Sequence, residues 1–277
     1  MKKILNYLAL LLVSSFGAYF FGPTVAHAGV ALNVSSPFSY LFSVDGSLVE
    51  SADPLLSTSG YWWVNSGAKM LLSGGDGKTV HGSLPANDKW RLLYATNNPT
   101  DTDNGYHPQN IFRLVGRSLW KNFHQEAYFK IDADNLSQSS NRNSSNGVLL
   151  FNRYQDDDSL YYTGLRVDGY AVIKKKLNGV YSTLAYVKVL PGTYNRSSNP
   201  NLLPKNTWIG LRSELVNVGG KLSLKLYTDI GKTGNWKLAA TATDDGARGG
   251  VIDKSGFGGI RTDFMDVSFD GYSIKEL

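Results

Sequence analysis

Apolar and polar residues alternate along most of the chain from about Leu92 onward, in stretches separated by clusters of Gly, Asn, Asp or Ser. Side chains of a β-strand point alternately to its two faces, so this period of two predicts half-buried antiparallel strands. No stretch carries the apolar period of a helix. The pattern therefore predicts an all-β protein.

The clearest strands are predicted at residues 148–154, 160–167, 170–177 and 181–189. Asp168-Gly169 and Asn178-Gly179 separate the last three, and both dipeptides supply the positive φ that two-residue hairpin turns require. Further strands are expected at 207–216, 221–229, 236–241, 257–263 and 265–274, with a less regular region at 30–87. The polar segment 135–146 has too few apolar side chains to pack, and a mobile surface loop is expected there.

The N-terminus has the pattern of an export signal. Lys2 and Lys3 precede an apolar run that finishes in Ala26-His27-Ala28, a small-x-small cleavage site. Residues 1–28 are predicted to be a secretory signal peptide, and 29–277 a single domain that is secreted or periplasmic. The alternative, a retained membrane anchor, is disfavoured because polar and helix-breaking residues interrupt the run below the ~20 apolar residues of a spanning helix. No later segment is predicted to span a membrane.

The amino-acid composition excludes several kinds of functional site. The 277 residues contain no Cys, which excludes disulfides, thiolate-bound zinc and a Cys nucleophile. The 28 Lys and Arg outnumber the 23 Asp and Glu only slightly, for a net charge of +5. With export, this small excess argues against a nucleic-acid partner.

Five motifs follow one another in a familiar order: NGVLLFNRYQD (146–156), LYYTGLRVDG (160–169), WIGLR (208–212), GGIRTD (258–263) and VSFD (267–270). From about residue 112 to the C-terminus the chain resembles the concanavalin A-like lectin/glucanase superfamily, including its LamG-like members. The resemblance implies a jelly-roll sandwich of two curved antiparallel sheets, in which many members bind carbohydrate on a concave face or at rim loops. Fold similarity of this kind does not carry a reaction.

Placing the apolar residues of each predicted strand inward leaves rings and cations outward. This outward set supplies the candidate substrate-binding residues Tyr162, Arg166, Lys174, Lys176, Trp208, Arg212 and Glu214. A ring stacks on a sugar face, and Arg binds a uronate or sulfate group in a bidentate pair. The sequence thus predicts a carbohydrate-binding protein whose partner is a polysaccharide or glycoconjugate, with acidic glycans favoured, on a concave aromatic and basic face. Ordinary cross-strand pairing explains the lysines equally well.

Enzyme activity on a uronate-containing glycan, as a lyase or a glycoside hydrolase, is the alternative. A glycosidase needs two carboxyl groups at the bond, but the Glu-x-Asp-x-x-Glu strand of laminarinase-type members is absent from the sequence. A polysaccharide lyase needs a carboxylate neutraliser, a base and an acid. His107, Gln109, Arg113 and Tyr128 are the candidate catalytic residues, although their spacing differs from that of jelly-roll alginate lyases.

No cofactor is required by the sequence, and a structural calcium ion is the one candidate. Asp101 and Asp103 offer oxygen ligands at alternate positions before Gly105, but Phe112 stands where an EF-hand loop has its bidentate Glu. Asp270 is a candidate calcium ligand through the superfamily resemblance alone.

Overall fold

The computed structural model describes residues 32–277. The predicted signal peptide, residues 1–28, and the first three residues of the predicted domain lie outside the described residues. Within the described part, no helix is long and apolar enough to cross a membrane. The described elements are mainly strands.

The strands in chain order are β1 (Phe38–Tyr40), β2 (Gly46–Val49), β3 (Trp62–Ser66), β4 (Lys69–Ser73), β5 (Asp76–Lys78), β6 (Ile111–Trp120), β7 (Phe123–Asp134), β8 (Gly147–Asp156), β9 (Ser159–Arg166), β10 (Tyr170–Leu177), β11 (Val180–Lys188), β12 (Trp208–Val218), β13 (Lys221–Ile230), β14 (Lys237–Asp244), β15 (Gly256–Asp263) and β16 (Met265–Glu276). One α-helix, α1 (Lys89–Asn97), and short 3-10 turns at Pro54–Leu56 and Pro108–Asn110 complete the described elements.

These strands form two antiparallel sheets. The front sheet has seven strands in the order β11-β10-β9-β8-β15-β6-β3. The back sheet has nine strands. Eight follow the order β14-β13-β12-β7-β16-β5-β4-β2, and β1, the ninth, pairs with β16. The predicted meander of residues 148–189 corresponds to β8 to β11 of the front sheet.

The main hydrophobic core lies between the two sheets. It takes alternate residues from both, among them Leu150, Leu165 and Ile260 from the front sheet and Phe129, Leu211 and Phe269 from the back sheet. Burial of these side chains is the main favourable term holding the sheets face to face. The arrangement confirms the predicted all-β class and the jelly-roll sandwich.

A second apolar cluster lies on the outer face of the front sheet. In β9, Tyr161 and Leu165 belong to the core, so Tyr162 between them points away from it. Tyr162 packs there with Leu149 and Val172, each of which alternates with core residues on its own strand. The front sheet is therefore apolar on both faces along its middle strands.

An ion pair is buried where the two sheets meet. Lys175 of β10 and Asp244 of β14 have side chains 1% exposed, and the Lys175 Nζ lies 2.8 Å from a carboxylate oxygen. Nζ also donates to the Gly250 carbonyl at 2.7 Å, and the Tyr161 hydroxyl donates to Asp244 at 2.6 Å. Strand alternation puts Lys175 on the inner side of β10, whereas Lys174 and Lys176 point outward.

The helix α1 was not indicated by the apolar pattern. Only two of its residues, Trp90 and Tyr94, are buried. Two buried positions four residues apart are too few to show a helical period of apolar residues in the sequence. Its one local signal is Asp88, whose carboxylate accepts the Trp90 N–H at 2.8 Å as an N-terminal cap. Tyr94 in turn donates to the Glu50 carboxylate at 2.6 Å.

The polar segment 135–146 packs through hydrogen bonds rather than apolar contacts. Asn135, Ser137 and Ser139 are buried, the Arg142 guanidinium donates to the Ser137 carbonyl at 2.6 Å, and Arg196 donates to the Ser139 carbonyl at 2.8 Å. The expectation that this segment lacks the means to pack is therefore wrong, because hydroxyl, amide and guanidinium groups replace the missing apolar ones.

Candidate functional site

A groove of about 520 Å³ lies on the outer face of the front sheet. Its apolar lining comes from Leu149 and Val172 of the outer cluster. Its cations are Arg113, Arg166, Lys174 and Arg261, its carboxylates are Asp101 and Asp263, and its rings are Tyr162, Tyr181 and Phe264. Four residues predicted from the sequence, Arg113, Tyr162, Arg166 and Lys174, are thus brought together on one surface.

Each groove arginine is held by an aspartate. Arg113 lies 2.9 Å from Asp157, Arg166 lies 2.7 Å from Asp168, and the Arg261 Nε lies 2.8 Å from Asp263. The Arg166 guanidinium also donates to the Ser144 carbonyl at 3.1 Å. These contacts fix the three guanidinium groups before any ligand arrives, while leaving part of each fork free.

Lys174 differs from the arginines. Among the described residues no carboxylate lies within ion-pair distance of its ammonium group, whose nearest aromatic contact is the Tyr181 ring, with 5.9 Å from Nζ to the centroid. Burial and the positive charge of Arg166 lower its pKa. The groove therefore holds a half-buried cation that faces other cations and lacks an acidic partner.

The two tyrosines of the groove, Tyr162 and Tyr181, differ in how much of each residue is exposed to solvent. Tyr162 is only 4% exposed, and burial raises its pKa to about 12. The Tyr181 ring stacks against it, with centroids 6.2 Å apart and planes inclined by 24°, and is 54% exposed. Tyr181 is the ring that a sugar can reach, whereas Tyr162 supports it from below.

Arg261 and Tyr181 line the groove and were not proposed as site residues from the sequence. Arg261 stands inside the GGIRTD motif, which was interpreted as a core strand and turn, although its neighbour Ile260 is a core residue and alternation turns Arg261 outward. Tyr181 is the second residue of β11, two positions after Gly179 of the Asn178-Gly179 turn. A strand-by-strand assignment of outward residues over β11 and β15 would have included both.

The polar segment 135–146 forms one side of the groove through Asn141, Asn143 and Ser145. Asp101 holds it in place: its carboxylate accepts the Ser139 hydroxyl at 2.5 Å and the Asn141 amide at 3.0 Å. This side wall is rich in amide and hydroxyl groups, the donors and acceptors that pair with sugar hydroxyls.

The remaining predicted binding residues lie elsewhere. Trp208, Arg212 and Glu214 are on β12 of the back sheet, on the outer face opposite the groove, because the alternate residues of β12 fill the core. There Arg212 pairs with Glu126 at 2.7 Å, and Glu214 pairs with Lys225 at 3.3 Å. The predicted binding set is divided between the two outer faces of the sandwich.

Lys176 lies beside the groove, on β10 of the front sheet. Its Nζ pairs with Asp158 at 2.8 Å and lies 5.2 Å from the centroid of Tyr181. Unlike Lys174, it has an acidic partner.

The four candidate catalytic residues do not converge either. Gln109 is fully buried and donates to Gly82 and Asp266. The Tyr128 hydroxyl donates to Asp229 at 3.0 Å on the back sheet. Arg113 alone lines the groove, and His107 contacts Asp103 and Ser83 at one end of the molecule. The arrangement does not place a base, an acid and a carboxylate neutraliser at one point.

The carboxylates proposed as calcium ligands are occupied by hydrogen bonds and ion pairs. Asp103 accepts from Ser137 at 2.5 Å and contacts His107 at 2.7 Å, and Asp270 pairs with Lys232. Among the described residues no group of three or more His, Asp or Glu is arranged to hold a metal. The residues do not fit a calcium ion, because proton donors already face the oxygens that would bind it.

No protein-family model matches this sequence, and no curated protein matches it. Solved structures similar to it include the carbohydrate-binding module CBM66 from Bacillus subtilis, at 12% identity and a TM-score of 0.47, covering 78% of this chain and 95% of that one. A β-glucanase from Bacillus licheniformis is 12% identical with a TM-score of 0.47, covering 88% and 100%. Lectin II from Ulex europaeus is 9% identical with a TM-score of 0.46, covering 87% and 98%. At these identities and TM-scores, the likenesses carry no argument about the family of this chain or about what it binds.

Proposed function

We propose that the protein binds an acidic polysaccharide in the groove of the front sheet. The observation that carries the proposal is Lys174, a half-buried ammonium group without an acidic partner among the described residues, close to Arg166. Asp157, Asp168 and Asp263 already pair with the three arginines, so Lys174 is the groove cation without an ion-pair partner among the described residues, and an anion bound there would supply one. A uronate carboxylate or a sulfate ester is such an anion.

The rest of the groove suits a sugar chain. The exposed Tyr181 ring offers a flat apolar surface to one face of a pyranose, and the amides of Asn141 and Asn143 offer partners for its hydroxyls. Because Asp157, Asp168 and Asp263 already orient the arginines, binding costs little side-chain entropy. We also propose that residues 1–28 direct export, so that the protein meets its glycan outside the cytoplasm.

The test compares groove and back-sheet variants by affinity electrophoresis in gels that contain polygalacturonate or alginate, with neutral starch as the reference. We expect Lys174→Ala and Arg166→Ala to weaken binding by about tenfold or more, since a charge-assisted contact contributes roughly 1.5–3 kcal/mol. Arg212→Ala and Lys225→Ala, which remove matched cations from the opposite face, should migrate like the wild type.

Three outcomes would contradict the proposal. Equal retardation by starch and the polyuronates would reject the preference for acidic glycans. Retention that survives both groove substitutions but is lost in Arg212→Ala would place the site on the back sheet. A rise in ultraviolet absorbance during incubation with polyuronate would reveal unsaturated product and make the protein a lyase.

A further inference from the structure

Three side chains, those of Ser83, His107 and Asp103, are joined by two consecutive hydrogen bonds. The Ser83 Oγ lies 2.9 Å from the His107 Nε2, and the His107 Nδ1 lies 2.7 Å from the Asp103 Oδ2. A hydroxyl, an imidazole and a carboxylate in this order and at these distances are the parts of a nucleophile activated by an oriented base.

The hydrogen bonds fix which ring nitrogen carries the proton. An ionised carboxylate only accepts hydrogen bonds, so the His107 Nδ1 must be the donor to Asp103. The neutral ring then has a lone pair on Nε2, and the Ser83 hydroxyl donates to it. This is the tautomer that can remove a proton from Ser83.

Asp103 is itself held in place. It accepts the Ser137 hydroxyl at 2.5 Å and the Asn110 amide at 3.3 Å, in addition to His107. These donors stabilise its charge and fix its direction towards the imidazole. Asp103 is therefore a positioning residue for His107.

The other described histidines lack this arrangement. His81 lies 3.5 Å from Asp132 and His124 lies 3.2 Å from Glu126, but in the described part of the chain neither has a hydroxyl bonded to its ring. His107 alone among these three joins a hydroxyl to a carboxylate.

The site is open to small molecules. Ser83 is exposed to solvent. A second cavity, of about 360 Å³, borders the other two members, His107 and Asp103, together with Leu136 and Gln138, and Ser83 lies outside its lining. The Ser83 N–H donates to no acceptor among the described residues, so it is available to a developing oxyanion. The exposed position of Ser83 suits a small ester that approaches from solvent.

We propose that Ser83, His107 and Asp103 form a hydrolytic site for short-chain carboxylic esters, separate from the groove of the front sheet. The Ser83 Oγ bonds to the acyl carbon while His107 Nε2 takes its proton. The bond from the acyl carbon to the alcohol oxygen breaks, and that oxygen takes the proton from His107. Water then attacks the acyl-Ser83 ester with His107 again as base, which releases the carboxylic acid and restores Ser83.

The experiment uses p-nitrophenyl acetate for turnover and a fluorophosphonate probe, located by peptide mass spectrometry, for the nucleophile. We expect turnover above the buffer rate and labelling of Ser83. Ser83→Ala and His107→Ala should lower turnover at least about a hundredfold, because the nucleophile and its base act as one unit. The control Ser47→Ala removes an exposed hydroxyl from β2 and should keep full activity.

Asp103→Asn separates a positioning role from a purely structural one. It should lower kcat while KM and the unfolding midpoint stay close to the wild-type values, because the amide leaves the imidazole in the wrong tautomer. The proposal is overturned if the wild type hydrolyses the ester no faster than buffer, if Ser83→Ala retains the activity, or if the probe labels another residue.

Discussion

Glu50 is a carboxyl group enclosed beside α1, where it accepts the Tyr94 hydroxyl at 2.6 Å and the Ala68 N–H at 2.8 Å. Burial raises its pKa to about 7, although these hydrogen bonds act in the opposite direction. The folded protein therefore keeps a proton on Glu50 at pH values where the unfolded chain has lost it. Folding and protonation are linked at this one residue.

This linkage has a definite sign. The pKa of Glu50 rises from its ordinary 4.5 to about 7 on folding, so the free energy of unfolding should fall as pH increases through that window and level off above it. The contribution is at most about 3 kcal/mol. Urea unfolding between pH 5 and 8 should show a flatter pH dependence in Glu50→Gln, which keeps an acceptor for Tyr94 but cannot ionise. Parallel curves for the two proteins would show that Glu50 is not the group responsible.

For single residues, the sequence predicted correctly which side of β9 each residue faces, because strand alternation alone determines it. The period of two in β9 put Tyr161 and Leu165 inside and Tyr162 and Arg166 outside, as the structure has them. Solvent exposure was harder to predict from the sequence, because a side chain that points away from the core can still be covered by a neighbouring side chain. Tyr162 points away from the core and is still covered, since Tyr181 from another strand lies against it.

For the strands, the sequence did not reveal which of the two sheets each strand joins. Arg166 on β9 and Arg212 on β12 have the same local pattern, yet β9 belongs to the front sheet and β12 to the back sheet. Strand pairing depends on contacts between distant parts of the chain, and a local period of two cannot report them. The same limit hid the contact between Ser83 and His107, which lie 24 residues apart on loops.

The buried pair of Lys175 and Asp244 ties β10 of one sheet to β14 of the other. Lys175→Met should lower the free energy of unfolding by roughly 3–5 kcal/mol, because Asp244 would remain charged in the interior without its cation. Lys176→Met is the matched control one residue along: its partner Asp158 is 64% exposed, and the loss should stay below about 1 kcal/mol. Denaturant midpoints of the two variants measure the difference, and equal midpoints would show that the buried pair contributes no more than a surface one.

For the whole molecule, the sandwich presents two outer faces with similar residue types and different organisation. The groove face has an open cavity of about 520 Å³ and Lys174, which has no acidic partner among the described residues, whereas Arg212 and Glu214 on the back sheet are each paired with a residue of opposite charge. Complementary pairs of this kind have little to gain from an added anion. The two faces are therefore expected to differ in binding.

Isothermal titration calorimetry with a short oligouronate should accordingly give a stoichiometry near one per chain. Arg212→Ala should leave both the stoichiometry and the affinity unchanged. Two sites per chain, one of which disappears in Arg212→Ala, would instead show that both faces bind and that the molecule can bridge two glycan chains.

The polar segment 135–146 touches both cavities, through Asn141 and Asn143 at the groove and through Ser137 and Gln138 beside His107. Asp101 and Asp103, two positions apart, hold it at Ser139 and Ser137. If glycan binding moves this shared wall into an arrangement that a ligand of the second cavity binds with a different free energy, glycan binding changes the affinity of that cavity. Thermodynamic reciprocity then requires that ligand to change glycan affinity by the same factor. One polar loop thus makes the two cavities a pair whose coupling can be measured from either side.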